Sequence, residues 1–376
     1  MNVLTLRLTS RALCCGWYVP ELREPRWQHT SSWEPGAAVL GDSVATQLFA
    51  ARRMLSSIVS GSAPDAIGIH LRHGGEVLDR PTRASEDVLD ALKVVAAQAP
   101  LHIPPTLGLA RIASQIFAGS PVWLVPETAF FCGLPVREQI YGLAGETRRA
   151  LGVRRFGYHG LYHEAACDLV IGQRIRAGNQ GPARVLSVCL EPQSELAAVR
   201  GRQPVMVTSG ATPLEGLPGE TSCGELDPGI VLNLARDFSI GPEQLDALLS
   251  RQSGLRALAG QPLSLGQILR STSRNTRLAR EVFAYRLLAA CGAGCGALGG
   301  ADALVFSGRY ARQAEELATQ LSEALVCALQ GQTEPVCVHY LHEPLDRLLA
   351  DATIRAAGPR ARASAGNAAG VDGGLL

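Results

Sequence analysis

A chain of 376 residues is long enough for two hydrophobic cores, and 47% hydrophobic against 18% charged residues is the balance of a folded globular protein, not of a disordered or fibrous one. A formal net charge of +1 removes the electrostatic reason to expect nucleic acid or a membrane surface as a partner. No run of about 18 uninterrupted apolar residues occurs, so no membrane span is expected, and residues 1–10 alternate like a strand, which makes a poor signal peptide.

Residues 3–8 read as a first strand, and 12–19 can pair with it as a hairpin. Residues 23–35 are polar and read as loop, followed by a short strand at 36–40. Asp42 can cap the next helix, which places Val44, Leu48, Leu55 and Val59 on one face. An apolar strand at 66–70 delivers Leu71-Arg72-His73-Gly74-Gly75 at its C-terminal end. Ser85 opens a helix, 106–118 reads as another, and 122–125 as a strand. In the second half, 186–190 and 196–200 read as paired strands, with helices at 228–236, 241–250, 278–298 and 313–329 and strands at 303–306 and 335–340. From 357 onward Ala, Gly, Arg and Ser dominate, as in a mobile tail. Strands alternating with helices predict an α/β fold, and no internal repeat is visible. The ten cysteines form no Cys-x-x-Cys pair: Cys14 and Cys15 are adjacent, and Cys291 and Cys295 sit in an Ala/Gly-rich stretch. They read as small buried thiols of a reducing cytoplasm.

The densest chemistry lies in Val153-Arg154-Arg155-Phe156-Gly157-Tyr158-His159-Gly160-Leu161-Tyr162-His163. Two histidines stand four residues apart beside a tight Tyr-His-Gly turn. If 161–170 is helical, His163 lies on the first turn, where backbone N–H groups favour an anion. The same residues also read as an aromatic turn with locally hydrogen-bonded histidines.

This stretch resembles the Arg-Tyr-Gly-Phe-His-Gly-Thr-Ser-His signature of the acetokinase family, the acetate, propionate and butyrate kinases. Thr212-Pro213-Leu214-Glu215-Gly216-Leu217 and Gly224-Glu225-Leu226-Asp227-Pro228 are similar to two further family segments, in the same order. The resemblance extends to His73-Gly74-Gly75-Glu76, to Pro100-Leu101-His102, and to Gly299-Gly300-Ala301-Asp302-Ala303-Leu304-Val305-Phe306, so it covers most of the chain.

The resemblance implies two α/β domains of the actin-like, sugar-kinase-like (RNase H-like) type with an interdomain cleft. The N-terminal domain would span 1–146 completed by 345–360, the C-terminal domain 147–344, and 361–376 would be a flexible tail. It implies ATP/ADP and Mg²⁺ as cofactors, acetate or another short-chain carboxylate as substrate, and a cytoplasmic homodimer. Four residues match catalytic positions: His159 as transition-state stabiliser, His102 and His163 near the transferred phosphate, and Glu127 on the catalytic aspartate; Arg72 is the nearest replacement for a family arginine that falls on His70. Ser307, Gly308, Arg309 and Gly224 fall on nucleotide segments, and Glu343 on a metal-binding glutamate.

Several positions depart from the family pattern. Arg7 replaces an asparagine that helps hold Mg²⁺ and phosphate, and Ser222 replaces a second arginine. The glycine-rich phosphate loop becomes Leu190-Glu191-Pro192-Gln193-Ser194-Glu195, losing one donor at Pro192 and gaining two carboxylates. Two functions follow: a carboxylate kinase making an acyl phosphate, or a degenerate homologue acting as a binding or regulatory subunit. A third reading, a new anion site around Arg309, Arg312 and the histidines, stays open.

Overall fold

Backbone pairing between an opening strand and its neighbours organises the first half of the chain. In the computed structural model the described residues are 1–9, 12–32, 40–58, 63–99, 102–328 and 336–358. The expected strand at 36–40, the pair Pro100-Leu101 and the tail at 361–376 lie almost wholly outside them. Strand β1 (Val3–Leu8) buries Val3, Leu4, Thr5 and Leu6, so both of its faces are covered. Antiparallel to it runs β2 (Ala12–Tyr18), and β3 (Trp27–Ser32) pairs with β2 in turn. Strand β3 lies within the polar stretch 23–35 that reads as loop. As an edge strand it needs only backbone hydrogen bonds on one side, and Trp17 against Trp27, with ring centroids 6.0 Å apart, supplies its apolar anchor.

Helix α1 (Leu40–Ile58) begins at Leu40, so Asp42 falls inside it and not before it. Strand β4 (Ala66–Leu71), buried throughout, runs parallel to β1. Short β5 (Thr82–Arg83) precedes α2 (Glu86–Val94), whose first turn is capped by Ser85 as expected. Helix α3 (Ile103–Ile116) starts earlier than 106 because Pro104 and Pro105 are tolerated in a first turn, where N–H groups have no partner. With β6 (Val122–Pro126) parallel to β4, the sheet order is β3-β2-β1-β4-β6-β5.

Beyond β6 come α4 (Val136–Gln139), α5 (Gly145–Leu151) and α6 (Gly160–Arg176). Strands β7 (Arg184–Cys189) and β8 (Glu195–Arg200) form the expected antiparallel pair. The sequence reading missed β9 (Gln203–Val207), an edge strand that tolerates Pro204. Five helices follow: α7 (Pro228–Asp237), α8 (Pro242–Arg251), α9 (Gly254–Ala259), α10 (Leu265–Arg270) and α11 (Arg274–Leu298). Strand β10 (Ala303–Ser307), helix α12 (Glu315–Ala328) and strand β11 (Cys337–Tyr340) complete a sheet of order β11-β10-β7-β8-β9. Helix α11 is long and apolar enough to cross a membrane by composition, and here its Phe283, Leu287, Cys291 and Leu298 sit in the core beside this sheet.

Last comes α13 (Leu345–Ala357), which packs on β1 and β4. It approaches so closely that a Cβ on Gly68 would lie 2.0 Å from Thr353 Oγ1. The chain therefore divides into two compact units, Met1–Ala129 with the segment from Leu345, and Phe130–Pro344. The division between these units falls between Ala129 and Phe130. Each unit has its own hydrophobic core. Each sheet contains an antiparallel three-strand meander whose first strand is continued by two parallel strands, the RNase H-like order expected from the resemblance, and the first sheet adds β5 antiparallel to β6. The duplication that the sequence hides is thus plain in the topology.

Candidate active site

In the first unit, the ends of β1 and β4 and the start of α3 bring polar side chains together. Thr9, Gln47, His70, Arg72, His102 and Thr106 line a small pocket of about 10 Å³, the space of one water. His102 holds the N-terminal position of α3, and burial, followed by the nearby Arg72, His70 and His73, lowers its pKa to about 4. Its imidazole is therefore neutral near pH 7. Behind the pocket, His70 Nε2 lies 2.8 Å from Glu127 Oε1, both side chains almost fully buried. Burial lowers the pKa of His70, assisted by Arg72 and Arg7, and this outweighs the opposing hydrogen bond to Glu127. A neutral His70 donates through Nε2, while its buried Nδ1 has no hydrogen-bond partner among the described residues. Thr128 Oγ1 accepts from Gly74 N at 2.9 Å, fixing the His73-Gly74-Gly75 turn.

The expected residues thus separate. Arg72 and His102 share a pocket, while Glu127 is held at its rear by His70, a residue that the sequence reading treated only as a loss. Arg7 makes two hydrogen bonds to Asp346, at 2.8 and 2.9 Å, tying β1 to α13.

In the second unit, the two signature stretches form one structure. Arg155 Nη2 reaches Glu215 Oε1 at 2.6 Å, Tyr141 donates to the other oxygen at 2.5 Å, and Phe156 N donates to Gly210 O. The Thr-Pro-Leu-Glu-Gly-Leu segment therefore props the histidine turn. His159 forms the N-terminus of α6 without a side-chain cap, and its Nε2 donates to Gln193 O at 2.8 Å. His163 is fully buried against Phe130 and Phe131, with Nδ1 2.8 Å from Ser187 Oγ.

The remaining nitrogen of His163 meets Glu195 Oε1 at 3.1 Å. Glu195, at the start of β8, also accepts from Tyr158 N (2.9 Å to Oε2) and His159 N (3.1 Å to Oε1), and its side chain has 0% exposure. Burial works to raise its pKa. The hydrogen bond from His163, the neighbouring imidazoles of His159 and His163, and Ser209 outweigh it and hold the carboxyl below its usual range.

Glu191, on the same turn, accepts from Arg309 N at 2.9 Å and Arg309 Nε at 2.6 Å. That pairing removes Arg309 from the new anion site considered with Arg312. Ser307 is buried with its hydroxyl on Val188 O at 3.3 Å. Gly308 has φ +85°, and a Cβ there would lie 2.7 Å from Leu190 O, so glycine is required by this turn. Gly224 has φ +73° and is held where Glu225 N donates to Gly216 O. Ser222 donates to Gln193 Oε1. Glu343 is exposed, and among the described residues no three His, Cys, Asp or Glu side chains gather to hold a metal ion. The roles of Glu191 and Glu195 were missed as structure; the signal was the appearance of two acids in a loop expected to be neutral.

Comparison with known proteins gives a consistent result. The family profile described as "Acetokinase family" matches residues 42–330. The acetate kinase of Corynebacterium jeikeium is 31% identical over 288 residues, covering 74% of this chain and 69% of the relative. That of Rhodopseudomonas palustris is 32% identical over 261 residues, covering 69% and 64%. The match to the Halothermothrix orenii acetate kinase covers 66% of its length, so the aligned stretch spans about two thirds of these relatives. Among solved structures, Porphyromonas gingivalis acetate kinase superposes with a TM-score of 0.77 at 22% identity over 94% of this chain and 99% of its own. A Francisella tularensis propionate kinase gives 0.77 at 20% identity over the same shares. At these identities the likeness carries the fold.

Proposed function

The chain belongs to the acetokinase family, and from that premise we propose that it is a degenerate carboxylate phosphotransferase. The family reaction is ATP plus acetate or another short carboxylate giving ADP and an acyl phosphate. On this reading the scaffold persists, the nucleotide cradle is closed, and the protein acts as a binding or regulatory subunit. A homodimer in the cytoplasm, without nucleic acid or membrane, is its proposed setting.

One observation carries the reading: the loop where ATP phosphates would meet backbone N–H groups instead turns Glu191 onto Arg309 and Glu195 onto the N-terminus of α6. A carboxylate near 4 Å from a phosphate oxygen costs about 1 kcal/mol in water and about 4 at intermediate dielectric. Arg7, placed where the resemblance expects a Mg²⁺- and phosphate-binding asparagine, is engaged with Asp346. The residues present therefore do not fit ATP and Mg²⁺. In the first unit Arg72, His102, Thr106 and Gln47 converge on one pocket with room for a single water.

That pocket also favours a second reading, an active kinase in which Arg72 replaces the missing arginine, His159 stabilises the moving phosphoryl group and Glu127 positions water. One lost donor typically costs 10²–10³ in rate, and several are lost here. Titration calorimetry with Mg-ATP and Mg-ADP at millimolar concentration, followed by hydroxylamine trapping over acetate, propionate and butyrate, separates the two. The degenerate reading expects neither heat nor acyl hydroxamate. Turnover that falls in His159→Ala would overturn it.

A further inference from the structure

The N-terminus of α6 is organised as an oxyanion site and already holds an oxyanion. Tyr158 N, His159 N and His163 Nε2 converge on one carboxylate, with all contacts between 2.9 and 3.1 Å. Two are backbone donors at the positive end of a 17-residue helix, and the third is a fully buried imidazole fixed from behind by Ser187. Such a set suits a carboxylate or phosphate oxygen of a ligand. Here the anion is supplied by the chain itself, across 32 residues of sequence from His163.

We propose that Glu195 is the resident ligand of this site, an intramolecular carboxylate that closes it to small carboxylates and phosphate from solution. The β7–β8 turn is built to keep it there. Glu191 clamps one end of the turn to Arg309, Ser194 Oγ donates back to Glu191 O at 3.1 Å, and Glu195 fills the other end with no exposed surface. An external anion can enter only when the Glu195 carboxylate is removed or the start of β8 is displaced. Occupancy of this site in the second unit is independent of turnover, and its readout does not involve catalysis.

Glu195→Ala in the full chain leaves four donors, Tyr158 N, His159 N, His163 Nε2 and Ser209, without their carboxylate, and a space the size of the lost group. Thermal unfolding is followed while formate, acetate or inorganic phosphate is raised at constant ionic strength with chloride. The wild type is expected to be indifferent to all three. Glu195→Ala is expected to start lower and to regain stability with formate or acetate, binding at least about tenfold more tightly than the wild type. A cavity control, Leu196→Ala, is expected not to respond. No response in Glu195→Ala, or an equal response in the control, would overturn the proposal. If Glu195→Ala does not fold, the wild type still decides: the amide resonances of Tyr158 and His159 are expected to stay fixed as phosphate is added, and a saturable shift at those two amides would show the site open and the proposal wrong.

Discussion

Individual side chains in this protein are mostly committed to one another. His70 holds Glu127, Arg7 holds Asp346, Arg309 holds Glu191 and His163 holds Glu195. Three of these pairs take up a residue that the family resemblance places at the site, Glu127, Arg309 and His163. Their burial also sets a pH dependence. The folded-state pKa of His102, about 4, lies below its ordinary 6.5, so the unfolded chain takes up the proton first as pH falls. Stability is full above about 6.5 and declines toward pH 4, and His70, lowered mainly by burial, acts in the same sense. The groups facing His102 are Arg72, His70 and His73, all of which oppose protonation. Comparing melting temperature from neutral pH to about pH 4, His102→Asn is expected to lose less than the wild type. An identical slope would mean that His102 is protonated in the fold.

At the scale of elements, two junctions matter. The β7–β8 turn couples α6 to the segment after β10 through Glu195 and Glu191. The other junction is α13, whose contact with β4 depends on the absence of a side chain at Gly68. Gly68→Val places atoms inside the Thr353 side chain and must separate helix from sheet. A loss of about 2–4 kcal/mol in urea unfolding is expected, in the range of overpacking plus lost burial. A loss under about 0.5 kcal/mol would show that α13 yields easily. Much of the element pattern was legible beforehand: β7 with β8, the Ser85 cap, α11 and β10 follow from periodicity and caps. The edge strands β3 and β9 were not, because an edge strand is stabilised by backbone pairing and carries a polar or proline-containing sequence.

The whole molecule consists of one continuous and one interrupted unit. Phe130–Pro344 has its own sheet and core, whereas the first unit needs α13 from the far end of the chain. A fragment of residues 130–344 is therefore expected to unfold cooperatively by itself. A fragment of residues 1–129 is expected to show weak or no cooperativity until a 345–358 peptide is added. Cooperative unfolding of 1–129 alone, unchanged by the peptide, would contradict this assignment of α13.

From the sequence by itself came the α/β class, the family resemblance, and the positions of the candidate residues, because these depend on local pattern and on motif identity. Short-range signals also showed that Arg7, Ser222 and the Leu190-to-Glu195 loop depart from the family. What they could not show is where the replacement groups point. Only the tertiary structure places Glu195 at the N-terminus of α6, Glu191 on Arg309 and His70 on Glu127, since each pair joins residues dozens to more than a hundred positions apart. The same holds for α13, whose place in the first unit is fixed by packing against β1 and β4. Burial decides these partners: a carboxylate removed from water must find donors, and the fold determines which donors are within reach.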